Sequence, residues 1–188
     1  MHTIIACIDG SASTGAISLA GAWASQRLEQ PLTLLHALEK PPAPPAADLS
    51  GTIGLGSREQ LLEELTALDE RREKVALEHG KHLLQAAETT AREAGAANVT
   101  QRQRHGDLVG TLADLEADTR LVILGRQGED HAAEAHAIGS HLESIVRRIH
   151  RPILVTLQAF RPPRSFMIAF DGSATAQKAL NSVAGSPL

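Results

Sequence analysis

The amino-acid sequence predicts an α/β domain built on a doubly wound, five-stranded parallel sheet. Short apolar runs alternate with longer segments of helical periodicity, which is the pattern of repeated β-α units. Most of these runs are apolar on both faces, as expected for strands covered by helices on each side. The run VTQRQR at 99–104 instead alternates with polar residues, which is typical of an edge strand.

Five runs are the predicted strands, and their character predicts their order. The run at 121–124, LVIL, belongs in the middle of the sheet, whereas the polar run at 99–104 belongs at its edge. With right-handed crossovers, the order 3-2-1-4-5 satisfies both requirements. The predicted strands are Thr3–Ile8, Leu32–Leu38, Val99–Arg104, Leu121–Leu124 and Ile153–Leu157.

Four helices are predicted between the strands, at residues 12–28, 57–94, 106–117 and 140–149. Residues 41–56 are rich in Pro, Ala and Gly and are interpreted as a loop. Residues 57–94 favour helix almost throughout, and Gly80 is their weak point, so we expect one long helix or two nearly collinear ones. The N-terminal half of this segment is charged, and we expect it to project beyond the sheet or to meet a partner.

The end of the chain resembles its beginning. Phe170-Asp171-Gly172-Ser173-Ala174 repeats Ile8-Asp9-Gly10-Ser11-Ala12, and both segments follow an apolar run and lead into an Ala-rich helix. We therefore predict a first domain at 1–160, followed at 161–188 by a linker and the first strand and helix of a truncated second repeat. A coincidental D-G-S turn is the alternative.

Composition argues against several classes of function. The 188 residues carry a net charge of −4 without a basic stripe, and they contain three Phe, one Trp and no Tyr, which argues against nucleic acid as a partner. No signal peptide and no apolar stretch of membrane-spanning length is recognisable, so no membrane association is expected. Cys7 is the one cysteine, so no disulfide can form within the chain, and a cytoplasmic location is expected.

Ligands of doubly wound sheets bind beyond the carboxyl ends of the strands, where the strand order reverses. Here that crevice lies between the first and fourth strands, beside Asp9-Gly10-Ser11 and the segment Gly125–Ser140. Gly125 and Gly128 allow close backbone approach, so successive N–H groups can form an anion nest. Gly139-Ser140 precedes a helix whose N-terminus favours an anion.

Two side chains add polar groups to this crevice. Asp9 is placed to accept hydrogen bonds from a ribose or a base, and Arg126 is placed to reach a phosphate. A purely structural interpretation stays open, because Ser140 and Glu143 fit an ordinary capping box and glycines after a strand often serve only the turn.

At these residues the chain resembles the universal stress protein family. Gly125–Ser140 is similar to the family's nucleotide signature G-x2-G-x9-G-[ST]. The similarity covers residues 1–157 in element order, including the D-G-S turn, Leu-Leu-His in the second strand and Arg-Pro-Ile-Leu-Val entering the fifth. The repeat that begins at Phe166 resembles the arrangement of the family members that contain two domains in tandem. The resemblance implies a Rossmann-like sheet of the adenine nucleotide α-hydrolase type, and ATP, with Mg²⁺ carried by the nucleotide, as ligand.

The resemblance also implies a set of binding residues. Cys7, Ile8 and Asp9 would flank adenine and ribose, and Ala37 would offer its backbone to adenine. The remaining members, which would line the ribose and phosphates, are Leu124, Gly125, Gly128, Gly139, Ser140, His141 and Leu142. Pairing of the fifth strand across a homodimer is a further implication, with strand exchange through residues 166–171 as a variant.

The sequence departs from this signature at one point. Ten residues separate Gly128 from Gly139, where the signature has nine, and they include three acids that repel a triphosphate. A non-binding dimeric scaffold is therefore an alternative function. An enzyme of the related α-hydrolase type, or slow and incidental ATP hydrolysis, is the less favoured alternative, because no nucleophile–base–acid set can be named.

Nine histidines raise the question of a metal site. His79 and His82 lie one turn apart on the long predicted helix, and His131, His136 and His141 lie in or directly after the segment Gly125–Ser140. The spacing of these histidines matches no known pattern of metal ligands. We interpret them as solvated. His36, inside the second strand, is interpreted as a half-buried structural residue.

Overall fold

A computed structural model describes residues 2–39, 55–126 and 140–188. Five strands and five α-helices alternate along this part of the chain. The strands are β1 (Thr3–Cys7), β2 (Leu32–Leu38), β3 (Val99–His105), β4 (Thr119–Gly125) and β5 (Ile153–Thr156). The helices are α1 (Thr14–Leu28), α2 (Leu55–Glu93), α3 (Leu108–Leu115), α4 (Ser140–Arg148) and α5 (Ala174–Ala184), and a 3₁₀ turn at Glu116–Asp118 follows α3.

The strands form one parallel sheet in the order β3-β2-β1-β4-β5, which confirms the predicted order. The polar strand β3 lies at the edge, and its side chains are mostly exposed. The apolar strand β4 lies inside, and Val122, Ile123 and Leu124 are buried. The two neighbours of β1 thus come from opposite halves of the chain, so the order reverses between β1 and β4.

Helices cover both faces of the sheet, and each face has its own apolar core. On one face, Ile4, Ala6, Leu34 and Ile123 pack with small residues of α1 and with the C-terminal half of α2. On the other face, the buried residues of the sheet pack against α3 and α4. This second core comprises Ile5, Cys7, Leu35, Leu112, Val122, Leu124, Ile145 and Ile149.

Helix α2 is one continuous helix of 39 residues, about 58 Å long. Its C-terminal half buries Leu84, Ala87 and Ala91 against the sheet and α1. Residues 63–76 are exposed at every position. The projection expected from the charged sequence is therefore present.

The repeated D-G-S sequence forms the same turn twice. The Ser11 N–H donates to Asp9 Oδ1 at 3.0 Å, and the Ser173 N–H donates to Asp171 Oδ1 at 2.9 Å. The helix predicted after the second turn is present as α5, and the Ser173 hydroxyl caps it by accepting the N–H of Ala176.

The predicted strand before this second turn is not formed. Residues 165–170 have no regular structure, and Phe166, Met167 and Phe170 are exposed, Met167 to 96%. A strand needs a neighbour to satisfy its backbone groups, and this segment has not paired with the sheet. Phe160 nevertheless packs on Trp23 of α1, with ring centroids 5.6 Å apart. Within the described residues, no helix has the length and apolar character that crossing a membrane requires.

Candidate functional site

The candidate site lies where β1 ends and its two neighbours continue. Cys7, the last residue of β1, is level with Leu35, whereas β2 continues to Leu38. On the other side Ala6 is level with Ile123, and β4 continues to Gly125. The sheet therefore has a notch at the C-terminal end of β1, flanked by the ends of β2 and β4.

The backbone of Ala37 faces this notch. In a parallel sheet, the N–H and C=O groups of successive residues point to opposite neighbouring strands. The Leu35 carbonyl accepts the N–H of Ile8, on the β1 side, and the Leu38 carbonyl accepts the N–H of Gly106, on the β3 side. Ala37 therefore directs both its donor and its acceptor toward the space beyond β1.

The backbone groups of Gly125 face the notch from the β4 side, because the same alternation of direction holds along β4. The N–H of Arg126 donates to the Thr156 carbonyl of β5 at 2.9 Å, so the N–H and C=O of Gly125 point the opposite way, toward β1. Ala37 and Gly125 thus present main-chain polar groups to one space from two sides.

The D-G-S turn occupies the middle of the notch. The Asp9 side chain is half-buried, and its bond to the Ser11 N–H fixes the turn. Gly10 has φ +81°, and a Cβ there would lie 3.1 Å from Leu83 Cδ1 on α2. The left-handed backbone conformation therefore favours glycine at this position, and Leu83 would have to shift by a few tenths of an ångström to admit a Cβ.

His36 supports this turn from the face that α2 covers. Its Nδ1 donates to the Ile8 carbonyl at 2.7 Å, immediately before Asp9 in the chain. The ring fits under α2 because residue 80 is glycine, since a Cβ there would lie 2.6 Å from His36 Cδ2. His36 is half-buried, as predicted, but the sequence did not indicate that it would hold the end of β1.

Cys7, Ile8 and Leu124 lie at the ends of β1 and β4 beside the notch and are buried, Ile8 in the core on the α1–α2 face and the other two in the core on the α3–α4 face. Burial raises the pKa of the Cys7 thiol far above its ordinary value, and the negative charge of Asp9 raises it further. Cys7 is therefore a neutral packing residue at physiological pH, and it is unsuited to act as a nucleophile.

The other predicted residues divide into three groups. Arg126 is half-buried next to Gly125, and Leu142 packs against the core on the α3–α4 face. Ser140 and His141 open α4, as predicted, but their side chains lie outside the described residues. Gly128 and Gly139 also lie outside the described residues.

No metal site is found in the described residues. His79 and His82 are exposed on α2, and no three His, Cys, Asp or Glu side chains in the described part of the chain converge as metal ligands. His131 and His136 lie outside the described residues.

Comparison with known proteins identifies related chains. The sequence profile of the universal stress protein family matches residues 1–156. A universal stress protein from Synechocystis sp. is 34% identical over 190 residues, and this alignment covers all of the present chain and 66% of the relative. The chain thus spans slightly less than two thirds of that relative's length.

Solved structures share the fold. A universal stress protein in complex with cAMP superposes with a TM-score of 0.52 at 21% identity, covering 84% of this chain and 98% of that one. The universal stress protein of Archaeoglobus fulgidus in complex with dAMP gives a TM-score of 0.50 at 14% identity, covering 82% and 96%. Because the family profile matches residues 1–156, most of its length, the chain belongs to the universal stress protein family.

Proposed function

We propose that this chain is a cytoplasmic stress-response module that binds ATP in the notch beyond β1, with Mg²⁺ carried by the nucleotide, and that it catalyses no reaction. The observation that carries the proposal is the convergence of main-chain groups of Ala37 and Gly125 on the space above the Asp9 turn. The free, buried Cys7 is compatible with a reducing compartment.

Each part of the notch suits one part of an adenine nucleotide. Ala37 offers a donor and an acceptor from one residue, which matches the acceptor and donor on the edge of adenine. The Asp9 carboxylate can accept hydrogen bonds from ribose hydroxyls. Cys7, Ile8 and Leu124 are buried apolar residues at the ends of β1 and β4, and they would flank the base and the sugar.

The phosphates are assigned to the β4–α4 side. Gly125 begins the glycine segment, and Ser140, His141 and Leu142 open a helix whose N-terminal N–H groups attract anions. Gly128 and Gly139 complete the assigned set, and Arg126 supplies a positive charge nearby. The complexes of two relatives with cAMP and dAMP support an adenine nucleotide as the class of ligand.

Thermal unfolding in the presence of ATP and Mg²⁺ tests the proposal. A ligand at a hundredfold excess over its Kd stabilises the native state by about 2.7 kcal/mol. For a chain of this size, that raises the melting temperature by about 5–10 °C. ATP, AMP and cAMP are compared with GTP. The guanine base of GTP presents a different arrangement of hydrogen-bond donors and acceptors, so GTP should produce a smaller shift in melting temperature.

The duplicated turn provides a matched control. Asp9→Ala and Asp171→Ala each remove a carboxylate that accepts a serine N–H in the same turn, but only Asp9 lies in the notch. Asp9→Ala and Gly128→Val should abolish the ATP shift, whereas Asp171→Ala should retain it. No shift with ATP and Mg²⁺, or an equal loss in both aspartate variants, would show that ATP does not bind here.

A dimeric scaffold is the second candidate, and the exposed edge of β5 favours it. Val155 and Leu157 are exposed to 41% and 57%. Because Arg126 bonds to Thr156, the N–H of Val155 points to the free edge. We propose homodimer formation through this edge, or strand exchange through residues 166–171. Val155→Pro removes the edge-facing N–H and leaves the β4 pairing intact, so it should lower the mass measured by light scattering if the edge pairs.

The absence of catalysis is tested directly. A timed assay for phosphate or AMP released from ATP should give no more than a slow background rate that Asp9→Ala does not change. Turnover that depends on Asp9 would assign the chain to an enzyme class instead.

A further inference from the structure

The projecting half of α2 carries an apolar stripe that nothing in the described part of the chain covers. Leu65, Leu68 and Val75 are exposed to 48%, 54% and 69%, although leucine and valine are normally buried. Their spacings of three and seven residues place all three on one side of the helix. In heptad terms, Leu65 occupies an a position, and Leu68 and Val75 occupy successive d positions.

We propose that this stripe pairs antiparallel with the same segment of a second copy of the chain. In an antiparallel pair, a positions pack against d positions of the partner. The register that places Leu65 against the partner's Leu68 also places Leu68 against the partner's Leu65, because the contact is two-fold symmetric.

Charge complementarity selects this orientation. Glu64 and Arg71 occupy the g positions that flank Leu65 and Leu68, and both are exposed. In the antiparallel register, Glu64 faces the partner's Arg71, and symmetry repeats the attraction once more. A parallel pair would instead bring Glu64 beside the partner's Asp69, a like charge.

The position of the contact along α2 also fits. The same register sets residue 63 opposite the partner's residue 70, so the contact is centred between Leu65 and Leu68. Residues 63–76 are exposed at every position, and the helix becomes buried against its own sheet only at Gly80. Each helix therefore offers an exposed segment of about 21 Å to the contact. This surface is separate from the edge of β5 and from the notch.

Light scattering on the full chain over a dilution series tests the pairing. Val155→Pro is used as the background, so that contacts through β5 do not contribute. Glu64→Arg and Arg71→Glu should each weaken the dimer tenfold or more, because each converts two attractions into two repulsions. The combined variant, Glu64→Arg with Arg71→Glu, exchanges the charges and should restore the dimer. Leu68→Glu should give a monomer.

Glu70→Arg is the matched control, because it makes the same change of charge on the opposite side of α2 and should leave the mass unchanged. Circular dichroism verifies the helix content of each variant. If Val155→Pro fails to fold, the same substitutions are made in the wild-type chain. There, Glu64→Arg, Arg71→Glu and Leu68→Glu should each halve the mass of the largest species. The proposal is overturned by a monomeric parent, by equal effects of Glu64→Arg and Glu70→Arg, or by a combined variant that fails to recover the dimer.

Discussion

Replacement of Gly80 by alanine should destabilise this protein, although the same change stabilises most helices. Alanine is favoured over glycine inside a helix by about 1 kcal/mol. At position 80, however, the added Cβ would overlap Gln103 Nε2 and would lie 2.6 Å from His36 Cδ2. Gln103 is a long side chain that can move aside, but the His36 ring is held by its bond to the Ile8 carbonyl.

The free-energy cost of moving His36 determines whether Gly80→Ala stabilises or destabilises the protein. Ile8 is 2% exposed, so its carbonyl would lose a partner that water cannot easily replace, at a cost of about 1–3 kcal/mol. Crowding of the helix against the sheet adds about 1–3 kcal/mol. After the gain of about 1 kcal/mol in helix propensity, we expect a net loss of stability of about 1–5 kcal/mol and a melting temperature lower by several degrees.

Urea unfolding measures this difference, with Gly15→Ala as the control. Gly15 also lies in a helix, but a Cβ there meets no atom within 4 Å, so Gly15→Ala should be neutral or slightly stabilising. Adding Gln103→Ala to Gly80→Ala should recover only the smaller part of the loss. If Gly80→Ala is as stable as the parent or more stable, His36 is free to move, and its bond to Ile8 does not fix the end of β1.

Two further predictions concern titrating groups. Cys7 should react with a thiol reagent in the native protein only as fast as the chain unfolds, because burial keeps its thiol neutral and covered; rapid native labelling would contradict this. The hydrogen bond from Arg92 lowers the pKa of Glu88, and a bond from Gln101 contributes. Glu88 should therefore stabilise the fold above its ordinary pKa of 4.5 and lose this contribution as the pH falls through the lowered value. Glu88→Gln should flatten that part of the pH–stability curve, and an unchanged curve would refute the assignment.

The sheet was predictable because its strands differ in composition. LVIL at 121–124 favours a buried central strand and the polar run at 99–104 favours an edge, and the order 3-2-1-4-5 with right-handed crossovers satisfies both. The run at 166–170 shows the limit of this reasoning. Its composition favours a strand, but strand formation depends on an available neighbour, and that is not a local property of the sequence.

The site was predictable in outline and less so in its contacts. Asp9 and Gly125 could be placed because they directly follow predicted strands. Ala37 has no polar side chain, so its contribution depends on the direction of its backbone groups, which only the strand register determines. The bond from His36 to Ile8 depends on where α2 crosses β2, and the sequence showed Gly80 merely as a weak point of the helix.

The turn shared by residues 9–11 and 171–173 has a consequence for how a ligand would meet the notch. Gly10 and Gly172 adopt φ values of +81° and +79°, although the first turn follows a buried strand and the second follows an exposed, irregular segment. The three residues thus adopt the same conformation in two different surroundings, which indicates that their own sequence favours it. A ligand entering the notch would find the Asp9 loop already ordered, so its binding energy would not be reduced by the entropy of arranging that loop.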